Sequence, residues 1–175
     1  MKALTTALLL AAALPASAHM DKSLSSLASG MPITSTSLTG LDGKSYAVPS
    51  EGPEVVLFWS IYDAEPLAPM FETLRRLEGT YKGRVRFRAV NLDSKALVKN
   101  LPDRVKARAA AAKLTVPLIL DPLRYSRDEF HLKRTPAMVV LNDARIEGYY
   151  SFEHPEDAQI VELTLRRLAS ATPRR

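Results

Sequence analysis

The apolar residues of the first half of the chain follow two different periods. Residues 55–59 form a continuous apolar run with the β-branched and aromatic content of a strand that is buried on both faces. From Leu67 to Leu77 the apolar residues recur three and four positions apart, with charged residues between them. This spacing places the apolar side chains on one face and predicts an amphipathic helix directly after the strand.

The remaining segments extend this alternation of strands and helices. Residues 84–90 alternate between apolar residues and arginines, which predicts a strand whose arginine face meets solvent or a helix edge. In the last helix, Ile160, Leu163 and Leu168 are predicted to face inward, with Asp157 near or on the outer face. The other predicted elements are a hairpin at 37–48 around Asp42-Gly43, helix at 94–114 interrupted or restarted by Pro102, a strand at 116–120, a short helix near 124–130, a hairpin of strands at 137–141 and 146–152, and helix at 156–170. The order predicts a mixed α/β sandwich in one domain.

The first residues have the features of a secretory signal peptide. Lys2 supplies a positive start, residues 7–14 are apolar, and Ala16-Ser17-Ala18 is a small-residue cleavage site. We therefore predict a signal peptide at 1–18, a flexible or loosely docked lead-in at 19–36, a domain at 37–170 and a basic tail at 171–175. The predicted location is periplasmic or secreted, without a transmembrane span in the mature chain.

The composition restricts the chemistry. The chain has 175 residues and no cysteine, so it has no disulfide, no thiolate nucleophile and no cysteine-ligated zinc or iron–sulfur centre. The sequence contains no P-loop, no G-x-G-x-x-G and no G-x-S-x-G motif. The formal net charge is +5, and no aromatic residues interleave the C-terminal arginines. That pattern favours a solvated helix end over a nucleic-acid or membrane surface.

Two motifs carry a resemblance to a known family. Residues 57–66 read Leu-Phe-Trp-Ser-Ile-Tyr-Asp-Ala-Glu-Pro, and residues 134–141 read Arg-Thr-Pro-Ala-Met-Val-Val-Leu. The first resembles the active-site turn of the thioredoxin superfamily, in particular its exported redoxin group of thioredoxin-like and alkyl hydroperoxide reductase-like proteins. The second resembles the segment that carries that family's cis-proline. The resemblance covers about residues 37–169 and implies a thioredoxin-like three-layer sandwich, with helices on both faces of a central mixed sheet.

The resemblance also locates a candidate site and shows how it differs from the family. Aligned on Trp59, Asp63 occupies the position of the first family cysteine, Pro66 that of the second, and Tyr62 that of the preceding aromatic residue. Thiol–disulfide exchange and peroxide reduction need cysteine sulfur, so we expect neither activity and no catalytic residue. The family's substrate groove, here near Thr135-Pro136, pairs main chain with an extended peptide and needs no sulfur.

We therefore predict an exported protein without thiol chemistry or a cofactor. It is expected to bind an extended segment of a protein partner in the cell envelope, at a groove formed by Trp59, Tyr62, Asp63, Pro66, Thr135 and Pro136. Asp63 has a purely structural alternative as the N-cap of the following helix. Two alternatives stay open. In the first, His19, which is the N-terminal residue after cleavage, binds copper with Met20 and with His131 or His154. In the second, the protein is related to thiol–disulfide oxidoreductases by ancestry only.

Overall fold

The computed structural model describes residues 20–64 and 67–171. Seven strands form one mixed sheet in the order β2-β1-β5-β4-β3-β6-β7. The strands are β1 Thr36–Gly40, β2 Ser45–Val48, β3 Pro53–Trp59, β4 Arg86–Asn91, β5 Leu118–Leu120, β6 Ala137–Asn142 and β7 Arg145–Tyr150. The helices are α1 Leu67–Tyr81, α2 Leu101–Ala111, α3 Tyr125–Glu129 and α4 Asp157–Ala171. No helix in these ranges has the length and apolar character that a membrane span requires.

The central strand β3 is buried along its whole length, as its apolar run predicts. It pairs in parallel with β4 and antiparallel with β6. Alternate β3 residues enter two apolar clusters, with Val55 in one and Val56 in the other. The first cluster contains the apolar faces of α1, α2 and α4. The second contains Phe130, which follows α3, together with Leu24 from the N-terminal segment. The predicted three-layer arrangement is confirmed, with three of the four helices on one face.

The arginine face of β4 is not exposed to solvent along its whole length, contrary to the prediction from its alternation. Arg88 is buried, and its guanidinium donates to the carboxylate of Glu54 on β3 and to the carbonyl of Ala47 on β2. Alternation along one strand places Arg88 on the face away from the first cluster. The hairpin of β1 and β2 covers Arg88 there, and the sequence of β4 alone does not reveal this contact between strands.

Two helix predictions need correction. In the segment predicted as helix from 94 to 114, α2 spans only Leu101–Ala111, so the predicted start at 94 is wrong, whereas the predicted start of a helix at Pro102 is confirmed. Asn100 has a left-handed backbone with φ 54°, and Pro102 fits only the first helical turn because it lacks an N–H.

The predicted inward face of α4 is correct at Leu168, which is buried, and at Ile160, which packs partly buried against the first cluster, but it is wrong at Leu163. Leu163 is exposed, while Val161 and Leu165 are buried. Asp157 is buried as well, and its carboxylate accepts a hydrogen bond from the Phe152 N–H at 2.7 Å. Its role is therefore to close the turn before the helix, not to face solvent.

The N-terminal segment is docked more closely than its composition indicates. Gly30 N–H donates to the carbonyl of Ile146 at 2.7 Å, and Ile33 N–H to that of Ala144 at 2.8 Å. Leu24 is fully buried in the second cluster. The two ends of residues 20–33 therefore lie along the outer edge of β7, and the middle of this segment pairs with Leu132 and Lys133. The predicted signal peptide, and all but residue 171 of the predicted tail, lie outside the described residues.

Candidate functional site

The candidate site lies at one end of the sheet. Strands β3, β4 and β5 run parallel, so their carboxyl ends share that end. Strand β6 runs antiparallel to β3, and Phe58 near the end of β3 is opposite Ala137 at the start of β6. This register brings the turn after Trp59 next to Pro136, which directly precedes β6. Two motifs that are far apart in sequence therefore meet at one site.

The turn after β3 is closed by the side chain of Asp63. One carboxylate oxygen, Oδ2, accepts the Ser60 N–H at 2.7 Å. The Asp63 N–H in turn donates to the Ser60 carbonyl at 3.1 Å. Tyr62, between them, is 64% exposed. The turn therefore holds an aromatic side chain out toward solvent on a backbone fixed by a carboxylate.

The same carboxylate connects the turn to the proline loop. Asp63 Oδ1 accepts the hydroxyl hydrogen of Thr135 at 3.0 Å. The Thr135–Pro136 peptide bond is cis, and Pro136 is buried. The Arg108 guanidinium of α2 donates to the Asp63 carbonyl from the other side. The structure thus brings Tyr62, Asp63, Thr135 and Pro136 together, whereas Pro66 lies outside the described residues.

The two described hydrogen bonds of the Asp63 carboxylate are not those of an N-cap, and that alternative role stays a prediction because residues 65 and 66 lie outside the described residues. Helix α1 begins at Leu67, and the partners at Ser60 and Thr135 both lie outside its first turn. Burial raises the pKa of Asp63 above its ordinary value, against the hydrogen bonds from Ser60 and Thr135, which lower it. The carboxylate is therefore a connector between two loops, in a partly desolvated position.

A second carboxylate, Asp93, organises the turn from the neighbouring strand, and the sequence analysis did not include it. Asp93 is buried and accepts hydrogen bonds from the Ser60 hydroxyl at 2.6 Å, the Ile61 N–H at 2.8 Å and the Asn91 side-chain amide at 2.8 Å. The sequence does contain a signal for Asp93, which is an acidic residue just after a buried strand. Such a residue lies at the same end of the sheet as the turn after β3.

The two aromatic residues of the turn have different roles. Trp59 is fully buried and packs edge-to-face on Phe71 of α1, with ring centroids 5.2 Å apart. It therefore belongs to the core rather than to an exposed wall. The ring of Tyr62 lies beneath the Arg104 guanidinium of α2, at 5.6 Å from its centroid. Arg104 and Arg108, both absent from the sequence prediction, thus hold this turn from α2.

The copper alternative gains no support in the described residues. Within 20–64 and 67–171 no three histidine or acidic side chains form a group that could hold a metal ion. His131 Nδ1 is 3.2 Å from the Ser26 hydroxyl, and His154 is exposed. His19 lies outside the described residues, so copper binding there stays a prediction.

The two carboxylates of the arrangement serve structural hydrogen bonds, while main-chain groups of one loop have no partner among the described residues. Asp63 and Asp93 are engaged by hydrogen bonds that fix the loops, and no thiol is present in the sequence. The backbone N–H and carbonyl of Thr135 make no hydrogen bond with another described residue. Main-chain groups beside Pro136 are therefore available to an extended segment.

Solved structures share this fold. A candidate thiol:disulfide interchange protein DsbE from Chlorobium tepidum is 18% identical, with a TM-score of 0.70 over 82% of this chain and 99% of its own. A candidate protein disulfide isomerase from Bacteroides thetaiotaomicron is 15% identical, with a TM-score of 0.71 over 84% and 94%. The thioredoxin domain of a thiol-disulfide oxidoreductase from Bacteroides vulgatus is 14% identical, with a TM-score of 0.65 over 80% and 99%.

These likenesses identify the class of structure. The chain has the thioredoxin-like fold, as its two motifs imply, but without the cysteines on which thiol–disulfide exchange depends. No protein-family model and no curated protein sequence matches the chain.

Proposed function

We propose that this chain is an exported thioredoxin-fold protein without thiol redox activity, which binds an extended segment of a partner protein in the cell envelope. The binding site is the groove formed by Tyr62, Asp63, Thr135 and Pro136, which we call the proline groove. Residues 1–18 would direct export and then be removed, which would leave His19 at the N-terminus.

The hydrogen bond from the Thr135 hydroxyl to Asp63 is the observation that carries this proposal. It joins the turn after β3 to the loop before β6, which are the two halves of the groove. Pairing with the main chain of a partner requires a fixed loop whose peptide groups can form hydrogen bonds, and it requires no cysteine. The backbone of Thr135, which has no hydrogen-bond partner among residues 20–64 and 67–171, lies next to buried Pro136 and supports this proposal.

The test is capture of the partner at Tyr62. A photoreactive amino acid in place of Tyr62 projects from the turn because this side chain is exposed. After irradiation in a cell-envelope extract, we expect one dominant cross-linked protein by mass spectrometry. Pro136→Ala should remove most of that product, because the substitution alters the loop against which the segment lies.

Matched controls distinguish binding at the groove from nonspecific cross-linking and from the effects of unfolding. The photoreactive residue at exposed Leu163 of α4 should not capture the same protein. Pro49→Ala changes a buried proline just before β3, at the opposite end of the sheet, and should leave capture at Tyr62 intact. Equal capture from both labelled positions, or capture indifferent to Pro136→Ala in a folded protein, would exclude the proline groove.

A further inference from the structure

The large apolar side chains that remain exposed are concentrated near the proline groove. Six such residues occur in the described chain: Met31, Tyr62, Leu97, Leu123, Tyr125 and Leu163. Four of them follow the carboxyl ends of the parallel strands: Tyr62 after β3, Leu97 after β4, and Leu123 and Tyr125 after β5. Leu97 is 77% and Leu123 67% exposed. We call these four residues the carboxyl-end surface.

Hydrogen bonds join the ends of the three parallel strands from which this surface extends. The Leu92 N–H donates to the carbonyl of Trp59 at 3.0 Å, and the Asp121 N–H to that of Asn91 at 2.9 Å. The Arg124 guanidinium donates to the Leu92 carbonyl at 3.3 Å. Since neighbouring strands lie about 4.7–4.9 Å apart, three strand ends span roughly 10 Å. That distance is a few residues of an extended peptide.

The three acidic side chains that the structure describes in these loops, Asp63, Asp93 and Asp121, point inward. Asp63 and Asp93 accept hydrogen bonds from the turn after β3, as described above. Asp121 is buried and accepts the N–H groups of Tyr125 at 3.1 Å and Ser126 at 2.7 Å. Their negative charge is therefore directed at loop amides and hydroxyls instead of solvent.

The cationic side chains have the opposite arrangement. Lys95 and Lys99 are exposed beside Leu97, Arg124 is partly exposed between Leu123 and Tyr125, and Arg104 covers Tyr62. None of these four forms an ion pair within residues 20–64 and 67–171. Exposed acidic residues also occur nearby, at Asp103 on α2 and at Asp128 and Glu129 on α3. The loops thus combine exposed apolar surface with unpaired positive charge.

We propose that the carboxyl-end surface binds a partner segment in which acidic residues alternate with leucine or aromatic residues. The carboxylates would meet Lys95, Lys99 and Arg124, and the apolar side chains would pack on Leu97, Leu123 and the two tyrosines. This inference rests on the proposed function and specifies the chemistry of its partner. A second copy of the chain fits poorly, because the protein itself carries a formal net charge of +5.

The test is selection of peptides from a random display library on the purified protein. We expect the recovered peptides to be enriched in Asp or Glu together with Leu, Phe or Tyr. A selected peptide, labelled for fluorescence anisotropy, should bind at least about tenfold more tightly than its counterpart with lysine at each acidic position. Affinity should fall as salt is raised.

Variants assign the binding to the surface. Lys95→Gln, Lys99→Gln and Arg124→Gln together should weaken the acidic peptide about tenfold or more and flatten its salt dependence. Leu97→Ser with Leu123→Ser should weaken it similarly without changing that dependence. The matched controls are Leu163→Ser and Arg166→Gln, at exposed positions of α4, which should leave affinity unchanged.

Three outcomes would overturn the inference. Recovered peptides that are neutral or basic but still depend on Pro136 would reject the acidic partner while supporting the proline groove. Peptides that depend neither on Pro136 nor on the three cations, or no recovered peptides, would reject both. Binding to vesicles of anionic phospholipid, without any peptide preference, would show that the surface recognises a membrane instead.

Discussion

At Asp63, a carboxylate stands at the position where the resemblance places a catalytic cysteine, and its surroundings determine its role. It accepts hydrogen bonds from Ser60 and Thr135 and is partly removed from water. Desolvation disfavours the ionised form more than these two bonds favour it, since the pKa of Asp63 is raised above its ordinary 3.8. The residue keeps the two loops joined, but at some cost to stability when it is charged.

That balance predicts a pH-dependent difference between the protein and its Asp63→Asn variant. A raised pKa means that the folded state binds this proton more strongly than the unfolded state. The contribution of Asp63 to stability is therefore greatest below its ordinary pKa and declines as pH rises through its folded pKa. Urea unfolding at several pH values between about 3 and 7 should show the stability of the protein, minus that of the variant, falling with pH.

Subtracting the variant cancels the titration of all other groups to a first approximation. The asparagine side chain has one oxygen, so it cannot accept hydrogen bonds from both the Ser60 N–H and the Thr135 hydroxyl as the two carboxylate oxygens do. We therefore also expect a difference in stability between the two proteins that does not depend on pH. Only the slope with pH tests the raised pKa. A difference that rises with pH would mean that the hydrogen bonds outweigh burial at Asp63.

Between elements, the buried pair of Glu54 and Arg88 joins three strands. Glu54 on β3 accepts from Arg88 on β4 and from the Ser50 N–H at 2.6 Å, while Arg88 also donates to Ala47 on β2. Burial raises the pKa of Glu54 and lowers that of Arg88. Both directions indicate that the loss of hydration outweighs the mutual attraction, so the pair determines strand arrangement more than it adds stability.

We therefore expect Glu54→Leu alone to be far more harmful than the removal of both charges. The single substitution leaves a buried guanidinium without its partner, which typically costs about 3–5 kcal/mol in the free energy of unfolding. Glu54→Leu with Arg88→Met should recover a large part of that loss, as measured by chemical denaturation. The exposed pair Arg167–Glu147 provides the control, since Arg167→Met should cost at most about 1 kcal/mol. A double variant less stable than Glu54→Leu would contradict this account.

The sequence predicts the elements well where local chemistry determines them. The Asp42-Gly43 turn forms the predicted hairpin, with Gly43 at φ 79°, and β3 follows directly from its apolar run. The burial of Arg88 could not be predicted, because its partner lies 34 positions away on another strand.

The same distinction applies to the candidate site. The resemblance identifies Asp63 and Thr135, and the structure brings them into contact. The supporting groups Asp93 and Arg108 were missed because they reach the turn across 33 and 45 positions of sequence. Such contacts depend on how the strands are arranged in the sheet, which the motifs do not specify.

For the whole molecule, the N-terminal segment completes the sheet. An outer strand such as β7 has unpaired peptide groups that can pair with another chain. Here the Gly30 N–H donates to the carbonyl of Ile146 on β7, the Ile33 N–H to that of Ala144 just before β7, and the Ile146 N–H to the carbonyl of Met31 at 3.0 Å. Leu24 is buried against the second cluster, and its carbonyl accepts the Lys133 N–H at 2.8 Å. Residues 20–33 thus cover both an edge and part of the core.

This arrangement predicts that Leu24→Ala destabilises the fold and exposes the edge of β7. Removing a fully buried leucine side chain costs about 2–5 kcal/mol, and detachment of the segment would leave β7 open to pairing between molecules. Met31→Ala, in the same segment but at a largely exposed side chain, should change stability by only about 0.5 kcal/mol. Chemical denaturation measures the first effect, and sedimentation velocity over a range of concentrations detects the second. Equal, small effects of both substitutions would mean that the segment is only loosely docked, as its composition alone indicates.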